Sequence, residues 1–243
     1  MAESLTLYVI HGSHPCASVE AGLRLKGLAY QTVYLQFGLS QFTQALRFGK
    51  RTVPGLVVGP QKVSGSRLIM RALDGLAPGA QLVPADPDLR AAIDEADLWG
   101  DDVLQHQVRW IAVDAVRREP SVALAYGSKS APPLPAAAIP GATKALFTTE
   151  MKALGQSPEQ VRDEYVPALR GHLDHVDALI ADGVLGGQEV NVADCQVAGS
   201  IRLLQTFEDL REAIDARPCG KLARRLVPEY DGSMPRGVIE SPL

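Results

Sequence analysis

The sequence predicts a small α/β domain followed by an all-α domain. Three observations carry this: strand and helix signals alternate through the first 75 or so residues, a Pro/Gly-rich stretch follows, and no confident strand signal appears after it. Leu5 to Ile10 (LTLYVI) is a short apolar run of strand formers ended by His11-Gly12-Ser13. From Ala17 to Lys26, Val19, Leu23 and Leu25 suit a helix that Gly27 stops. Tyr30 to Leu35 is a second strand, and Phe42 to Phe48 a short helix before Gly49. Thr52-Val53-Pro54-Gly55 leads into a third strand, Leu56 to Val58. Gly59 to Lys62 turns the chain into a fourth strand begun by Val63-Ser64, and Ser66 to Leu73 closes the unit as a helix.

Asp74 to Asp88 holds Pro78, Pro84 and Pro87, whose X-Pro bonds keep a linker extended. The organisation is therefore 1–75, a linker at 76–87, and a helical domain at 88–243. Asp88 to about Arg118 is one long helical pattern, 127–141 a Pro/Ala-rich loop, and Gly141 to Leu154 a further helix. Ser157-Pro158-Glu159-Gln160 combines an N-cap, a first-position proline and a capping-box glutamine, and Pro167 should kink or restart that helix. Asn191 opens another helix, and Gln205 to Leu226 supplies one or two more.

Composition narrows the function classes. A formal charge of −4 over 243 residues gives no basic field for nucleic acid. Cys16, Cys195 and Cys219 are too far apart for a disulfide framework or a zinc site, which suggests a reducing, cytoplasmic setting. The acidic start is unlike a signal peptide, and no segment approaches a membrane span.

Ser13-His14-Pro15-Cys16 lies where the first strand turns into the first helix, a place whose free N–H groups and dipole favour an anion such as a thiolate. Cys16 reads either as that thiol or as small-residue packing about one turn inside the helix. Ser13 suits an N-cap and a hydrogen-bond donor to a ligand equally well, and His14 either polarises a thiol or covers the helix start. Trp99, Val103, His106 and Trp110 share one helix face, which reads as core stripe or pocket wall. His172 and His175 lack a third ligand for a metal, and Tyr8 sits inside the first strand.

These residues resemble a known family. Ser13-x-x-Cys16 stands where thioredoxin-like proteins have Cys-x-x-Cys, Thr52-Val53-Pro54 is similar to their cis-proline signature, and Val63-Ser64-Gly65-Ser66 resembles the turn that holds the γ-glutamyl carboxylate of glutathione. Asn191-Val192-Ala193-Asp194 resembles the capping box of a core helix in the cytosolic glutathione transferases. The resemblance runs from Leu5 to about Leu226. It implies a thioredoxin-like N-terminal domain, a helical transferase-type C-terminal domain, and a homodimer.

The resemblance also assigns roles. Ser13 would point its hydroxyl at the glutathione sulfur, with His14 and Cys16 beside it. Val53, ahead of Pro54, would pair its backbone with the cysteinyl part, and Ser66 after Gly65 would hold the γ-glutamyl carboxylate. A hydrophobic electrophile would lie against Trp99, Val103, His106 and Trp110, a detoxification chemistry needing glutathione as co-substrate and no metal. A free thiol titrates near about 8.5. A charge-assisted hydrogen bond (roughly 1.5–3 kcal/mol) and a helix start (about 0.3–1 kcal/mol) would lower that by roughly one to three units. Two departures stand out: Gly65 replaces the Glu or Gln of most relatives, and Glu20 occupies a position often basic. The alternatives are a non-catalytic transferase-fold scaffold, an enzyme using a different small thiol, and thiol–disulfide exchange at Cys16.

Overall fold

The structure, a computed structural model, describes residues 4–76, 81–240 and 243. Four strands, β1 (Leu5–Val9), β2 (Tyr30–Tyr34), β3 (Gly55–Val58) and β4 (Gln61–Ser64), form one sheet in the order β2-β1-β3-β4. β1 runs parallel to β2 and antiparallel to β3, and β3 pairs antiparallel with β4. The α/β-then-α architecture predicted from sequence is the one observed.

The elements begin earlier than the apolar pattern suggests. α1 spans His14–Leu25, with the turn after Leu25 closed by Leu28 N donating to Leu23 O at 3.0 Å. α2 is Ser40–Phe48 and α3 Ser66–Leu76. β4 starts at Gln61, because Gly59 and Pro60 alone make the turn. Ala77 to Ala80 of the expected linker, Pro78 among them, lie outside the described residues.

The helical part consists of α4 (Pro87–Trp99), α5 (His106–Arg118), α6 (Ala123–Gly127), α7 (Ile139–Ala153), α8 (Pro158–Gln160), α9 (Val166–Ala181), α10 (Val192–Leu204), α11 (Arg211–Asp215) and α12 (Pro218–Leu226). α4 and α5 are the single long helix of the sequence pattern, joined by a π-helical stretch at Gly100–Gln105. A second π stretch, Val161–Tyr165, absorbs Pro167 at the start of α9. Ser157 caps α8 by accepting from Gln160 N at 3.1 Å.

α10 is the axle: all 13 of its residues are buried. Its start is the capping box expected from Asn191 and Asp194. Asn191 Oδ1 accepts from Asp194 N at 3.1 Å, and Asp194 Oδ2 accepts from Asn191 N at 3.0 Å. Its middle packs on α1 across Gly199, where a Cβ would sit 2.3 Å from Ser18 Oγ and 2.5 Å from His14 O. That close approach continues one core through sheet and helices, from Leu7 and Val19 to Ile201 and Leu204. No described helix is long and apolar enough to cross a membrane.

Candidate functional site

Where the sheet part faces the helical part, a cavity of about 470 Å³ opens. The turn from β1 into α1 (Ile10 to Pro15), the loop after β2 (Phe37 to Gln41) and the Arg51-Thr52-Val53 loop form one side. The opposite side is α5 through Arg109, Ala112, Val113 and Val116, and α7 through Thr143, Leu146, Phe147 and Glu150. Tyr126, Leu203, Phe207 and Met234 close the floor. The sheet side thus brings the Ser13 turn and the Val53 loop to the cavity, while the helical side presents small or apolar side chains beside Arg109, Thr143, Thr149 and Glu150.

Ser13 is the N-cap residue of α1 with extended backbone (φ −82°, ψ 118°), and its hydroxyl makes no capping bond. Ser13 is half-buried and lines the cavity, with its hydroxyl in hydrogen-bond reach of the Cys16 thiol beneath it. His14 lines the same wall but is 4% exposed; its Nδ1 shares a 3.0 Å hydrogen bond with Ser200 Oγ, and its Nε2 is buried without a partner. Burial, helped by the charge of Arg109, pushes its pKa down to about 3, so the ring is neutral near pH 7. Val53 lines the cavity and the Val53–Pro54 bond is cis.

Pro54 O accepts from Gly65 N at 2.9 Å, which ties the β4–α3 turn to that loop. Gly65 has φ +95°, a left-handed conformation that favours glycine. Ser66 begins α3 at 3% exposure, with its Oγ donating to Gln105 Oε1 at 3.3 Å. Gln105 and Gln196 in turn meet Asp101, so the hydroxyl is drawn into an interdomain polar network and does not line the cavity.

Other expected residues lie elsewhere. Cys16 is 3% exposed, off the cavity, and burial pushes its thiol up to about 12 despite the opposing Ser13 hydroxyl. It packs beneath the helix start and is not poised as a thiolate. Trp99, Val103, His106 and Trp110 do not line the cavity either. Trp99 lies edge-on to His172 and His175 on α9 (5.6 and 4.5 Å between ring centres), and His106 sits between Trp110 and Tyr165. Bulky rings fill a helix–helix seam, while the void opens over the smaller Ala112, Val113 and Val116, next round the same helix. Tyr8 packs on Phe48 under Arg47, away from the cavity. Asp114, also off the cavity, is 3% exposed and takes both Arg117 and Arg118. Among the described residues no group of three or more His, Cys, Asp or Glu is placed to hold a metal ion.

Some cavity residues carried no local signal. Arg109 and Glu150 form a 2.6 Å ion pair between α5 and α7, with Gln41 Nε2 reaching the same carboxylate at 3.4 Å. The 109, 112, 113, 116 spacing is a helix stripe that the larger aromatic stripe overshadowed.

Residues 7–81 match the glutathione S-transferase N-terminal domain family. The chain has the glutathione transferase fold. The β-etherase LigF from Sphingobium sp. strain SYK-6 superposes with a TM-score of 0.58 at 18% identity, covering 91% of this chain and 99% of that one. The theta class glutathione S-transferase of Xanthomonas axonopodis pv. citri, with glutathione bound, gives 0.54 at 18% identity, covering 94% and 99%. A Pseudomonas putida glutathione transferase, with one glutathione disulfide per subunit, gives 0.60 at 16%, covering 93% and 86%. No curated protein matches the chain. At such identities the likeness shows that the transferase fold is shared and leaves the chemistry to the residues.

Proposed function

We propose that this protein binds glutathione along the sheet domain and presents its thiolate to a small hydrophobic electrophile in the 470 Å³ cavity. The observation that carries the reading is Ser13, whose side chain makes no capping bond at the start of α1 and which lines that cavity. A donor there, with the helix start behind it, lowers the thiol pKa toward neutrality without a base. His14 is neutral near pH 7 and adds no charge beside the thiolate, and Val53 offers backbone beside cis-Pro54 for the cysteinyl part. Attack forms the carbon–sulfur bond as the electrophile's leaving group departs against Ala112, Val113, Leu146 and Phe147. A cytoplasmic homodimer is the assembly this reading brings with it, testable by sedimentation.

Turnover of an aryl halide with glutathione tests the proposal. Loss of a charge-assisted hydrogen bond predicts an about 10–100-fold lower rate in Ser13→Ala, with the bound thiol titrating higher; unchanged turnover overturns the role of Ser13. One observation favours a second reading. Ser66 is covered and already bonded to Gln105, which suits a small thiol lacking the γ-glutamyl carboxylate. Calorimetric titration of the protein with glutathione beside other small thiols separates the two.

A further inference from the structure

A second cavity, of about 220 Å³, lies in the helical part, lined by Arg202, Arg211 and Arg224 together with Gln205, Thr206 and Tyr230. Tyr126 bonds Thr206 Oγ1 at 2.7 Å and so stands between this cavity and the larger one. Arg202 is 8% exposed. Its Nε donates to Val227 O at 2.9 Å and its Nη2 to Pro228 O at 3.3 Å, and among the described residues it has no carboxylate partner. Arg211 is likewise bonded to the carbonyls of Gln205 and Thr206 and to Ser233 Oγ. Only Arg224 has an acid, Asp215 at 2.6 Å, which Gln205 Nε2 shares at 2.7 Å.

Three cations thus face one anion around a small, partly open space. Buried charge is ordinarily compensated by opposite charge. Here burial first, then Arg224, hold the Arg202 pKa below its ordinary value against the opposing pull of Asp215 and Tyr230, with Arg211 adding least. An entering anion removes that penalty, and guanidinium forks match oxyanions in pairs of hydrogen bonds. Gln205 adds a selective feature. Its Nε2 is spent on Asp215 and Gly220 O, while its Oε1 is buried without a partner and would accept a hydroxyl.

We propose that the arginine-lined cavity binds one phosphate group, as inorganic phosphate or as the head of a phosphomonoester, held by Arg202, Arg211 and Arg224 with its hydroxyl on Gln205. The space is below the roughly 300–1,000 Å³ of pockets for drug-sized ligands, which limits the guest to a small anion. Nothing in this assignment depends on the thiol reading.

The test is calorimetry on the full chain with inorganic phosphate, glycerol phosphate and sulfate, at an ionic strength fixed with chloride. Phosphate is expected to saturate one site per chain about tenfold more tightly than sulfate, which has no hydroxyl for Gln205. Saturation by the free ion alone identifies inorganic phosphate as guest, and saturation by glycerol phosphate identifies an ester; either supports the site. Arg211→Gln and Arg224→Gln should each weaken binding about tenfold while keeping a native circular dichroism spectrum. Arg211 and Arg224 are chosen because both are more exposed than Arg202, and the spectrum checks that losing the Arg211 bonds to Gln205 and Thr206 leaves the fold intact. No saturable heat at millimolar phosphate or ester, equal binding of sulfate, or an affinity that both variants leave unchanged overturns the proposal.

Discussion

The phenol of Tyr230 donates a 2.7 Å hydrogen bond to the carbonyl of Gly12, 218 residues earlier in the chain. Asp231 beside it meets His11 Nε2 at 2.7 Å, and Ser130 Oγ accepts from His11 N at 2.8 Å. The turn that presents Ser13 is therefore latched by the C-terminal segment as well as by its own helix. Tyr230→Phe removes the donor and leaves the Gly12 carbonyl unpaired, which should cost about 0.5–1.5 kcal/mol in urea unfolding. If Ser13 acts on the thiol, the same variant lowers kcat for aryl-halide conjugation more than it raises KM, because the turn loses its fixed position.

His14 makes stability depend on pH in a definite direction. Its pKa falls from 6.5 to about 3 on folding, so the native state holds fewer protons than the unfolded state between those values. The contribution is complete above pH 6.5 and is lost as pH falls toward 3. At about 1.4 kcal/mol per unit it amounts to at most roughly 5 kcal/mol. His14→Asn keeps a polar atom for Ser200 and should flatten the profile; denaturation midpoints of both proteins across that window give the comparison.

Gly65→Ala should destabilise although nothing lies within 4 Å of the added carbon. The cost is the left-handed backbone, about 1–2 kcal/mol, partly offset by about 0.4–1 kcal/mol from a stiffer unfolded chain. A urea midpoint equal to that of the native protein would mean that the turn relaxes.

Val113→Trp and Trp99→Phe separate the two faces of the long helix. Val113 lines the cavity, so a larger ring there should exclude the electrophile and suppress conjugation with little change in thiol binding. Trp99 packs on His172 and His175, so its truncation should cost about 1 kcal/mol in stability and leave turnover intact. Steady-state kinetics beside thermal melts distinguishes these outcomes.

What could be read from the sequence is what short-range signals encode. Thr52-Val53-Pro54 announced the cis bond, Asn191 and Asp194 their reciprocal cap, and Gly27 the end of α1, because each is settled within a few residues. The starts of α1 and α2 are harder to read, since His14 and Ser40 are polar and the apolar pattern begins after them. The covering of Ser66 by Gln105 and the pairing of Arg109 with Glu150 join residues 39 and 41 apart, and no local pattern reports such meetings. The aromatic stripe is legible as one helix face; which neighbour it meets depends on α9, whose placement only the packed helices determine.

The π-helical stretch at Gly100–Gln105 sits ahead of the segment that carries Arg109, Ala112, Val113 and Val116. Each residue of an α-helix advances the chain about 100° around its axis. Removing one residue from that stretch would swing everything downstream by nearly a third of a revolution, bringing Trp110 to where Arg109 now meets Glu150, and Asp114 and Arg117 to where Val113 and Val116 now stand. A change of length within this stretch would recast what the chamber admits more thoroughly than any single exchange of side chain.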